Sequence, residues 1–227
     1  MTAASISSFR WAFLVLLGLL LGCSDSPEER LRREFEDCKA KAEQGDASAQ
    51  CNLALKYYQG EGVVKDRVQG VFWYRKSAEQ GHAKAQYFIG HRYAVGEGVV
   101  QDFTQGVFWY RKAAEQGHAM AQFKLGDCYF SGEGVPKDEA QAVSWWTKAA
   151  EQDDAEAQFH LGLNYFVGKA FVRDPEKAVF WYGKAAAQGH AISQDFLGDC
   201  YFNGYGVTKN NVEAYARWKV AGAMGLF

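Results

Sequence analysis

One stretch of 36 residues recurs five times in this chain, and its fixed period constrains the fold more than any other feature. The copies begin at Gly45, Gly81, Gly117, Asp153 and Gly189, and the last copy ends at Met224. No insertion or deletion interrupts the register. A constant period of this length indicates stacked repeat units, each of which contacts only its neighbours. The sequence therefore predicts an extended array of repeats.

Each copy predicts two helices joined by a glycine turn. Small, aliphatic and aromatic residues of the first helix recur at spacings of three and four, which places them on one face. In the second copy these are Ala83, Ala85, Ile89, Gly90 and Tyr93. A G-x-G-V segment follows in four copies, and glycine supplies the left-handed backbone that ends a helix.

The second helix of each copy begins after a side chain that commonly caps helix N-termini. These residues are Asp66, Asp102, Asp138, Asp174 and Asn210. The same helix carries a tryptophan in four copies, which we expect to be buried. These tryptophans are Trp73, Trp109, Trp145 and Trp181.

The common pattern of the copies is A-x-A-Q-x-x-L-G-x-x-Y-x-x-G-x-G-V-x-x-D-x-x-x-A-x-x-W-x-x-K-A-A. This pattern resembles the Sel-one-like repeat, a relative of the tetratricopeptide repeat. The resemblance covers residues 45 to about 221 and implies an all-α fold, a right-handed α-solenoid of helix-turn-helix units. Two copies depart from the pattern. The fourth has Ala170 and Phe171 in place of Gly-Val, and the fifth has Arg217 at the tryptophan position, with Trp218 one place later.

Residues 1–22 have the features of a lipoprotein signal peptide. Arg10 precedes the apolar run WAFLVLLGLLLG, which is short for a membrane span and is typical of a secretory signal. The segment LLGC at residues 20–23 resembles a bacterial lipobox, which implies that Cys23 is lipidated. An uncleaved anchor or an ordinary signal peptide is the alternative. Because Ser24 follows Cys23, the resemblance implies an outer-membrane anchor with the body in the periplasm.

We predict a lipidated tether at residues 23–33 and an N-terminal cap helix at residues 34–44. The helical pattern that contains this cap starts earlier, near Glu28. A terminal repeat needs such a cap because its outward face has no neighbour. The repeats then occupy residues 45–80, 81–116, 117–152, 153–188 and 189–224. The formal charge of −2 gives no reason to expect nucleic-acid binding, since such proteins usually carry a basic stripe.

Four cysteines lie beyond the lipobox. Cys38 and Cys51 flank the turn near Gly45 at similar distances, so two antiparallel helices would bring them opposite each other. We predict a disulfide between them, and two buried thiols are the alternative, because tetratricopeptide helices would turn the Cys51 position toward the groove. Cys128 and Cys200 occupy the same repeat position two copies apart. The distance between them therefore exceeds the reach of a disulfide. Each is expected to be a small buried residue.

The sequence contains no assembled catalytic or cofactor motif. His82, His118 and His190 occupy one turn position, so the repeat spreads them out, whereas metal ligands must converge. The glycine turns match no phosphate-binding pattern. A nucleophile such as Cys128 with a histidine is a weak alternative. We therefore expect no enzyme activity, no cofactor and no metal.

The resemblance to tetratricopeptide helices turns the fourth, seventh, eleventh and fourteenth positions of each first helix toward a concave groove. These positions vary between copies and are rich in aromatic residues, which often anchor protein partners. The alternative is that the seventh and fourteenth positions are buried between helices. The predicted groove residues are Lys84, Tyr87, His91, Met120, Phe123, Asp127, Glu156, Phe159, Leu163, Asp195 and Asp199.

The resemblance implies a binding protein, and two forms of it stay open. One is an adaptor for envelope proteins, and the other is an immunity protein that neutralises a secreted antibacterial lipase. The later groove is acidic, which favours a basic segment on the partner. An envelope hydrolase is the third alternative, although the β-lactamase motif set is not assembled.

Overall fold

The computed structural model describes residues 26–169 and 172–225. Within these ranges the chain forms eleven α-helices and no β-strand. In chain order they are α1 Pro27–Glu43, α2 Ala47–Gln59, α3 Arg67–Glu79, α4 Ala83–Val95, α5 Phe103–Glu115, α6 Ala119–Ser131, α7 Glu139–Ala150, α8 Ala155–Val167, α9 Pro175–Ala187, α10 Ala191–Asn203 and α11 Asn211–Ala223.

Each helix packs mainly against the helices before and after it in the chain, and the five predicted pairs are the most closely packed. The pairs are α2 with α3, α4 with α5, α6 with α7, α8 with α9, and α10 with α11. Four separate buried clusters follow one another along the chain instead of one central core. This arrangement is an α-solenoid, as the repeat period predicts.

The helix ends follow from the predicted capping residues. Asp66 Oδ1 accepts a 3.0 Å hydrogen bond from the backbone N–H of Gln69 at the start of α3. His82 caps α4 with its Nδ1, which accepts from the backbone N–H of Ala85 at 3.3 Å. The histidines at the predicted turn position are therefore helix caps. Gly96 ends α4 with a left-handed φ of 73°, a conformation that side chains with a Cβ rarely adopt.

The second glycine of the turn allows neighbouring repeats to approach each other. A Cβ added at Gly98 would lie 2.5 Å from the backbone oxygen of Arg67, at the start of the preceding second helix. Equivalent contacts join Gly134 to Phe103 and Gly206 to Pro175. The turn is thus a packing element as well as a helix terminator.

The most deeply buried aromatic position lies one residue after the predicted tryptophan position. Trp145 and Trp181 are only half-buried, so the prediction that this position is fully buried is wrong for two copies. The next position holds Tyr74, Tyr110, Trp146, Tyr182 and Trp218, and the first four are at most 2% exposed. A Cβ at Gly126 would lie 2.5 Å from the Trp146 ring, which explains the small residue on the facing first helix.

The cap helix α1 follows the helical pattern predicted from near Glu28 and is longer than the cap assigned to residues 34–44. It begins at Pro27, after Ser26 and Glu29 form a reciprocal capping box, so it includes most of the segment assigned to the tether. Phe35 is buried and packs edge-on against Tyr57 of α2, with 5.4 Å between ring centroids. The helix therefore covers the outward face of the first repeat.

The predicted disulfide between Cys38 and Cys51 is not formed, and both thiols are free. Cys38 Sγ donates to the backbone oxygen of Ala49 at 3.4 Å and lines a pocket between α1 and α2. Cys51 is 3% exposed and lies in a buried cluster that includes Tyr74 of α3, and burial raises the pKa of its thiol to about 11. Cys38 is thus bonded to the backbone of α2, whereas Cys51 is enclosed by core side chains.

Several predicted features lie outside the described residues. These are the signal peptide, the lipidation site Cys23, and the departure at Ala170 and Phe171. Among the helices that are described, none combines the length and apolar character needed to cross a bilayer.

Candidate functional site

The first helices of the second, third and fourth repeats enclose a pocket of about 490 Å³. It opens to solvent where α4, α6 and α8 lie side by side. Its walls combine aromatic and aliphatic side chains with three carboxylates. They are formed by Tyr87, Met120, Phe123, Lys124, Asp127, Asp154, Glu156 and His160.

Five of the eleven predicted groove residues meet at this pocket. Tyr87, Met120, Phe123, Asp127 and Glu156 come from three different repeats, at the fourth, seventh and eleventh positions of their first helices. Met120 is 51% exposed, whereas Phe123 is 7% exposed and forms the floor of the pocket. The seventh position is therefore buried between helices in this copy, which was the alternative for that position.

The remaining six predicted residues do not line the pocket. Lys84 is exposed, and His91 is half-buried with its Nδ1 3.4 Å from the Tyr110 hydroxyl. Phe159 is half-buried against Tyr182.

Leu163 lines a second cavity of about 190 Å³ with Phe130 and Lys169. Asp195 is half-buried and Asp199 is exposed, both in the last repeat. The eleven residues therefore lie along the first helices without converging on one centre.

Asp127 is the most constrained carboxylate of the pocket. Its Oδ1 accepts a 3.1 Å hydrogen bond from the indole N–H of Trp146, and its Oδ2 lies 3.3 Å from Lys124 Nζ. Burial nevertheless raises the pKa of the Asp127 carboxyl, and the nearby charges of Lys124 and His160 only partly oppose this effect. The pocket therefore holds a negative charge that its own partners do not fully stabilise.

His160 was missed by the sequence prediction, together with Lys124 and Asp154. His160 and Lys124 share the eighth position of the repeat, next to the seventh position that was included. The His160 ring centroid lies 4.9 Å from that of Trp146 and 5.3 Å from that of Phe123. Burial lowers the pKa of His160, so the neutral imidazole is favoured near pH 7.

The fourth repeat supplies the acidic edge of the pocket. Asp154 caps α8 by accepting a 2.9 Å hydrogen bond from the backbone N–H of Ala157, and burial raises the pKa of its carboxyl. Glu156 Oε1 lies 3.4 Å from His190 Nε2 at the start of the next repeat. Asp154 could have been recognised as a pocket residue from its place at the turn before a first helix.

The buried cysteines are poorly suited to nucleophilic chemistry. Burial raises the pKa of the Cys128 thiol to about 12 and that of Cys200 to about 11. A thiol must ionise to become a good nucleophile, so these environments oppose the Cys128–histidine alternative. In the described part of the chain, no three His, Cys, Asp or Glu side chains converge in a way that could hold a metal ion.

The repeat geometry agrees with a known family. The profile of the Sel1 repeat matches residues 47–82, 83–118, 119–154, 155–190 and 191–217, which together are more than half of the chain. The chain belongs to the Sel1 repeat family. Each matched segment begins at the first residue of a first helix, two residues after the boundary chosen from the sequence period. Sel1 repeat proteins mediate protein–protein interactions and are generally non-catalytic scaffolds.

Solved structures of other Sel1 repeat proteins share this architecture. A Sel1 repeat protein from Oxalobacter formigenes is 33% identical with a TM-score of 0.77, over 88% of this chain and 84% of that one. The protective antigen c5321 of uropathogenic Escherichia coli, which has an SLR fold, is 36% identical with a TM-score of 0.67. That match covers 84% of this chain but only 49% of the antigen, so this chain spans about half of its length.

Immunity protein Pa5087 from Pseudomonas aeruginosa has the same fold at lower identity. It is 22% identical with a TM-score of 0.55, over 99% of this chain and 83% of that one. At this identity the likeness concerns the fold alone.

Proposed function

We propose that this Sel1 repeat protein is a non-catalytic lipoprotein of the bacterial envelope that holds a segment of a protein partner in its groove and acts as an adaptor. The observation that carries the proposal is the pocket formed by α4, α6 and α8. Preformed side chains on packed helices lose little entropy when a partner binds. A pocket of mixed apolar and charged character is typical of a recognition site.

The chemistry of the pocket favours a lysine or arginine side chain on the partner. Asp127, Asp154 and Glu156 supply three carboxylates against the single ammonium of Lys124, while His160 is favoured in its neutral form. Burial raises the pKa values of Asp127 and Asp154, so a cation brought by the partner would stabilise the charged forms of these carboxyls. A long basic side chain could place its charge beside these carboxylates.

The apolar wall of the pocket complements the stem of such a side chain. Met120 is 51% exposed beside Phe123, and the aliphatic part of lysine or arginine commonly packs on apolar surface while its charge stays polar. A basic residue flanked by apolar residues is therefore the partner segment that fits.

The experiment places a photo-crosslinking amino acid at Met120 in living cells. Ser144 is the matched control, because it is also exposed but lies on a second helix outside the pocket. We expect one specific crosslinked protein from Met120 and none of that mass from Ser144. Equal crosslinking from both positions, or none from Met120, would reject the groove as the binding surface.

Charge variants then test the chemistry of recognition. Asp154→Asn keeps a good helix-capping residue and Glu156→Gln keeps the side-chain shape, while each removes one negative charge. We expect the double variant to weaken binding of the crosslinked partner about tenfold and to reduce its salt dependence. Unchanged affinity would reject the basic partner segment and leave an apolar contact.

An immunity protein for a secreted antibacterial lipase is the second candidate function. The fold shared with immunity protein Pa5087 makes it worth testing. The identity of the protein crosslinked from Met120 separates the two functions: an adaptor captures a resident envelope protein, and an immunity protein captures a secreted lipase whose activity falls on binding.

Envelope localisation rests on the lipobox-like segment that ends at Cys23. The resemblance favours lipidation of Cys23 and an outer-membrane anchor facing the periplasm. We expect Cys23→Ser to leave the body folded but to abolish metabolic labelling of the chain with palmitate. Labelling that persists in the variant would contradict lipidation at this residue.

An envelope hydrolase remains the third candidate, and it receives the least support. The buried thiols are held in their protonated form, and the pocket carboxylates are engaged in a helix cap and hydrogen bonds. Assays of β-lactam and ester hydrolysis with the purified chain, with and without chelator, test this class directly. Turnover that disappears in Asp127→Asn would replace the binding function with catalysis at the pocket.

A further inference from the structure

The cavity of about 190 Å³ opens between α6 and α8, one helical turn beyond the pocket of the groove. Asp127 of α6 and His160 of α8 line the pocket. Phe130 and Leu163, which follow these residues by three places, line the cavity. Residues three places apart share one face of a helix, so the pocket and the cavity open on the same side of the two helices. We call the second space the Asn164 cavity, because Asn164 also lines it.

Trp146 supports both the pocket and the Asn164 cavity from behind. Its indole N–H donates to Asp127 at 3.1 Å, and its ring centroid lies 4.9 Å from that of His160. The same ring lies 5.3 Å from that of Phe130, measured between centroids. Trp146 is fully buried, so it fixes the walls of both spaces relative to each other. A partner segment that fills the pocket therefore passes beside a preformed second site.

Asn164 brings a free hydrogen-bond acceptor to the cavity. The residue is 6% exposed, and its Nδ2 donates to the backbone oxygen of His160 at 2.9 Å. Its Oδ1 accepts no hydrogen bond from the described part of the chain. Polar side-chain atoms of residues this deeply buried are usually hydrogen-bonded. The free oxygen therefore points to a donor that a partner supplies.

The repeat does not need an amide at this position. The other copies hold Lys56, Arg92, Cys128 and Cys200 there. Their first helices have the same length as α8 and the same left-handed glycine end. The acceptor of Asn164 is therefore a feature of this cavity and not of the fold.

The walls of the cavity suit an aromatic ring. Phe130 and Leu163 are half-buried, and Val167 is 58% exposed at its mouth. A cavity of about 150 Å³ is large enough for benzene, and this one holds about 190 Å³. A phenol ring fits the space, and its hydroxyl can donate to Asn164 Oδ1.

A second basic side chain is disfavoured in this cavity. Lys169 is the charged residue among the described residues that line it, and its Nζ lies 4.5 Å from the Phe130 centroid. Lys169 and Lys137 both pair with Glu139, at 3.3 and 3.1 Å, so two ammonium groups share one carboxylate. A neutral donor is therefore favoured over lysine or arginine.

We propose that the partner segment places a tyrosine in the Asn164 cavity, about three residues from the basic residue that enters the groove pocket. Val167 follows His160 by seven places, which is about 10 Å along the axis of α8. An extended chain covers this distance in about three residues. A tyrosine site here rests on the proposed function, since the basic residue is what brings the segment to the groove.

The first test measures small probes against the full chain by NMR of the methyl groups of Leu163 and Val167. N-acetyltyrosinamide carries the proposed side chain, N-acetylphenylalaninamide lacks only its hydroxyl, and N-acetyltryptophanamide carries a larger ring. We expect the tyrosine amide to shift both sets of methyl resonances and to bind about fivefold more tightly than the phenylalanine amide. The tryptophan amide should bind more weakly than the tyrosine amide. The Met120 methyl in the groove pocket is the internal control.

A pair of variants tests the acceptor. Asn164→Leu keeps the size of the side chain and removes Oδ1, so it should bind the tyrosine and phenylalanine amides equally. Asn203→Leu is the matched control, because Asn203 Nδ2 also donates to the backbone oxygen four residues earlier, at 2.9 Å, but lies outside the cavity. Circular dichroism verifies each fold, and the ratio in the original chain tests the proposal even if a variant folds poorly.

Blocked peptides then test the link to the groove pocket. Arg-Ser-Ser-Tyr and Tyr-Ser-Ser-Arg present the two side chains three residues apart in either chain direction. We expect one of them to bind at least about tenfold more tightly than the tyrosine amide, because both sites are filled by one molecule. The double variant Asp154→Asn with Glu156→Gln should abolish this gain and leave binding of the tyrosine amide unchanged.

Three results would overturn the tyrosine site. They are equal binding of the tyrosine and phenylalanine amides, tighter binding of the tryptophan amide, and shifts at Met120 without shifts at Leu163 and Val167. Failure of the proposed function looks different: neither peptide gains affinity from its arginine, while the tyrosine amide still binds at the cavity.

Discussion

Gln116 Nε2 donates a 2.7 Å hydrogen bond to Gln86 Oε1, and Gln86 Nε2 donates to the backbone oxygen of Ala78 at 3.1 Å. One pair of glutamines thus joins three consecutive helices, α3, α4 and α5. Gln86 is 3% exposed, and both ends of its amide are satisfied. The same arrangement recurs with Gln80 and Gln50, at 2.7 Å. Repeat stacking therefore depends on a buried polar contact as well as on apolar packing.

We expect Gln86→Leu to lower the free energy of unfolding by about 2 kcal/mol, because the Ala78 oxygen and the Gln116 amide lose a buried partner. Gln116→Ala is the comparison: it leaves only Gln86 Oε1 without a partner, so it should cost less, about 1 kcal/mol. Urea unfolding followed by circular dichroism measures both changes. Equal effects of the two substitutions would contradict a role for Gln86 as the central residue.

Alanine substitutions at two glycines distinguish the cost of backbone strain from the cost of a steric clash. Gly98 and Gly81 have φ values of 74° and 88°, so alanine is strained at either position. A Cβ at Gly98 would also lie 2.5 Å from the Arg67 oxygen, whereas nothing lies within 4 Å at Gly81. We expect Gly81→Ala to cost about 1 kcal/mol and Gly98→Ala at least about 2 kcal/mol more. Thermal unfolding of the two variants should therefore differ, and matching midpoints would reject the close approach.

The sequence predicted features that depend on a single repeat. Helix pairs, caps such as Asp66, and left-handed helix ends such as Gly96 follow from local backbone chemistry, and the fixed period repeats them. The residue that packs against Gly126 is Trp146, whereas the tryptophan that we expected to be buried in this copy is Trp145. The helix rotation that buries Trp146 is set by packing between helices.

The pocket was only partly predicted for a related reason. Tyr87, Met120 and Glu156 lie on three repeats, and their meeting depends on the offset between successive first helices. His160 was missed because the eighth position faces the groove only where that offset opens a cavity. Cys51 was paired with the wrong neighbour because distance from a turn does not determine which way a helix face points.

The free thiols give a third prediction. A Cys38–Cys51 disulfide would close a loop of about 14 residues and contribute about 3 kcal/mol. Since the thiols are free, Cys38→Ser should change the unfolding free energy by less than about 0.5 kcal/mol without reductant, its hydroxyl keeping the contact to Ala49. In the native chain, a thiol reagent should modify half-exposed Cys38 faster than Cys51, whose pKa burial raises to about 11. A mass spectrum with Cys38 and Cys51 joined after non-reducing digestion would contradict this.

Half-buried histidines make the stability of the solenoid sensitive to mild acid. Burial lowers the pKa of His118 below its ordinary value of 6.5, so the unfolded chain binds its proton more tightly than the folded chain does. Stability is therefore highest above pH 6.5 and falls as the pH drops toward the lowered folded pKa. The raised carboxyl pKa of Asp154 acts in the opposite sense, but only in the more acidic range that begins near its folded value.

His118→Asn isolates this contribution, because asparagine can replace the histidine as the cap of α6 but does not titrate. The melting temperature of the original chain should fall between about pH 7 and pH 5.5, and that of the variant should fall less. The variant also loses the stacking of Tyr87 on the His118 ring, with centroids 5.0 Å apart, so its melting temperature at pH 7 should be lower by a constant amount. A pH dependence as steep as that of the original chain would mean that His118 ionises equally in the folded and unfolded states. The observed slope would then belong to the other half-buried histidines whose pKa values burial lowers, which are His82, His91 and His160.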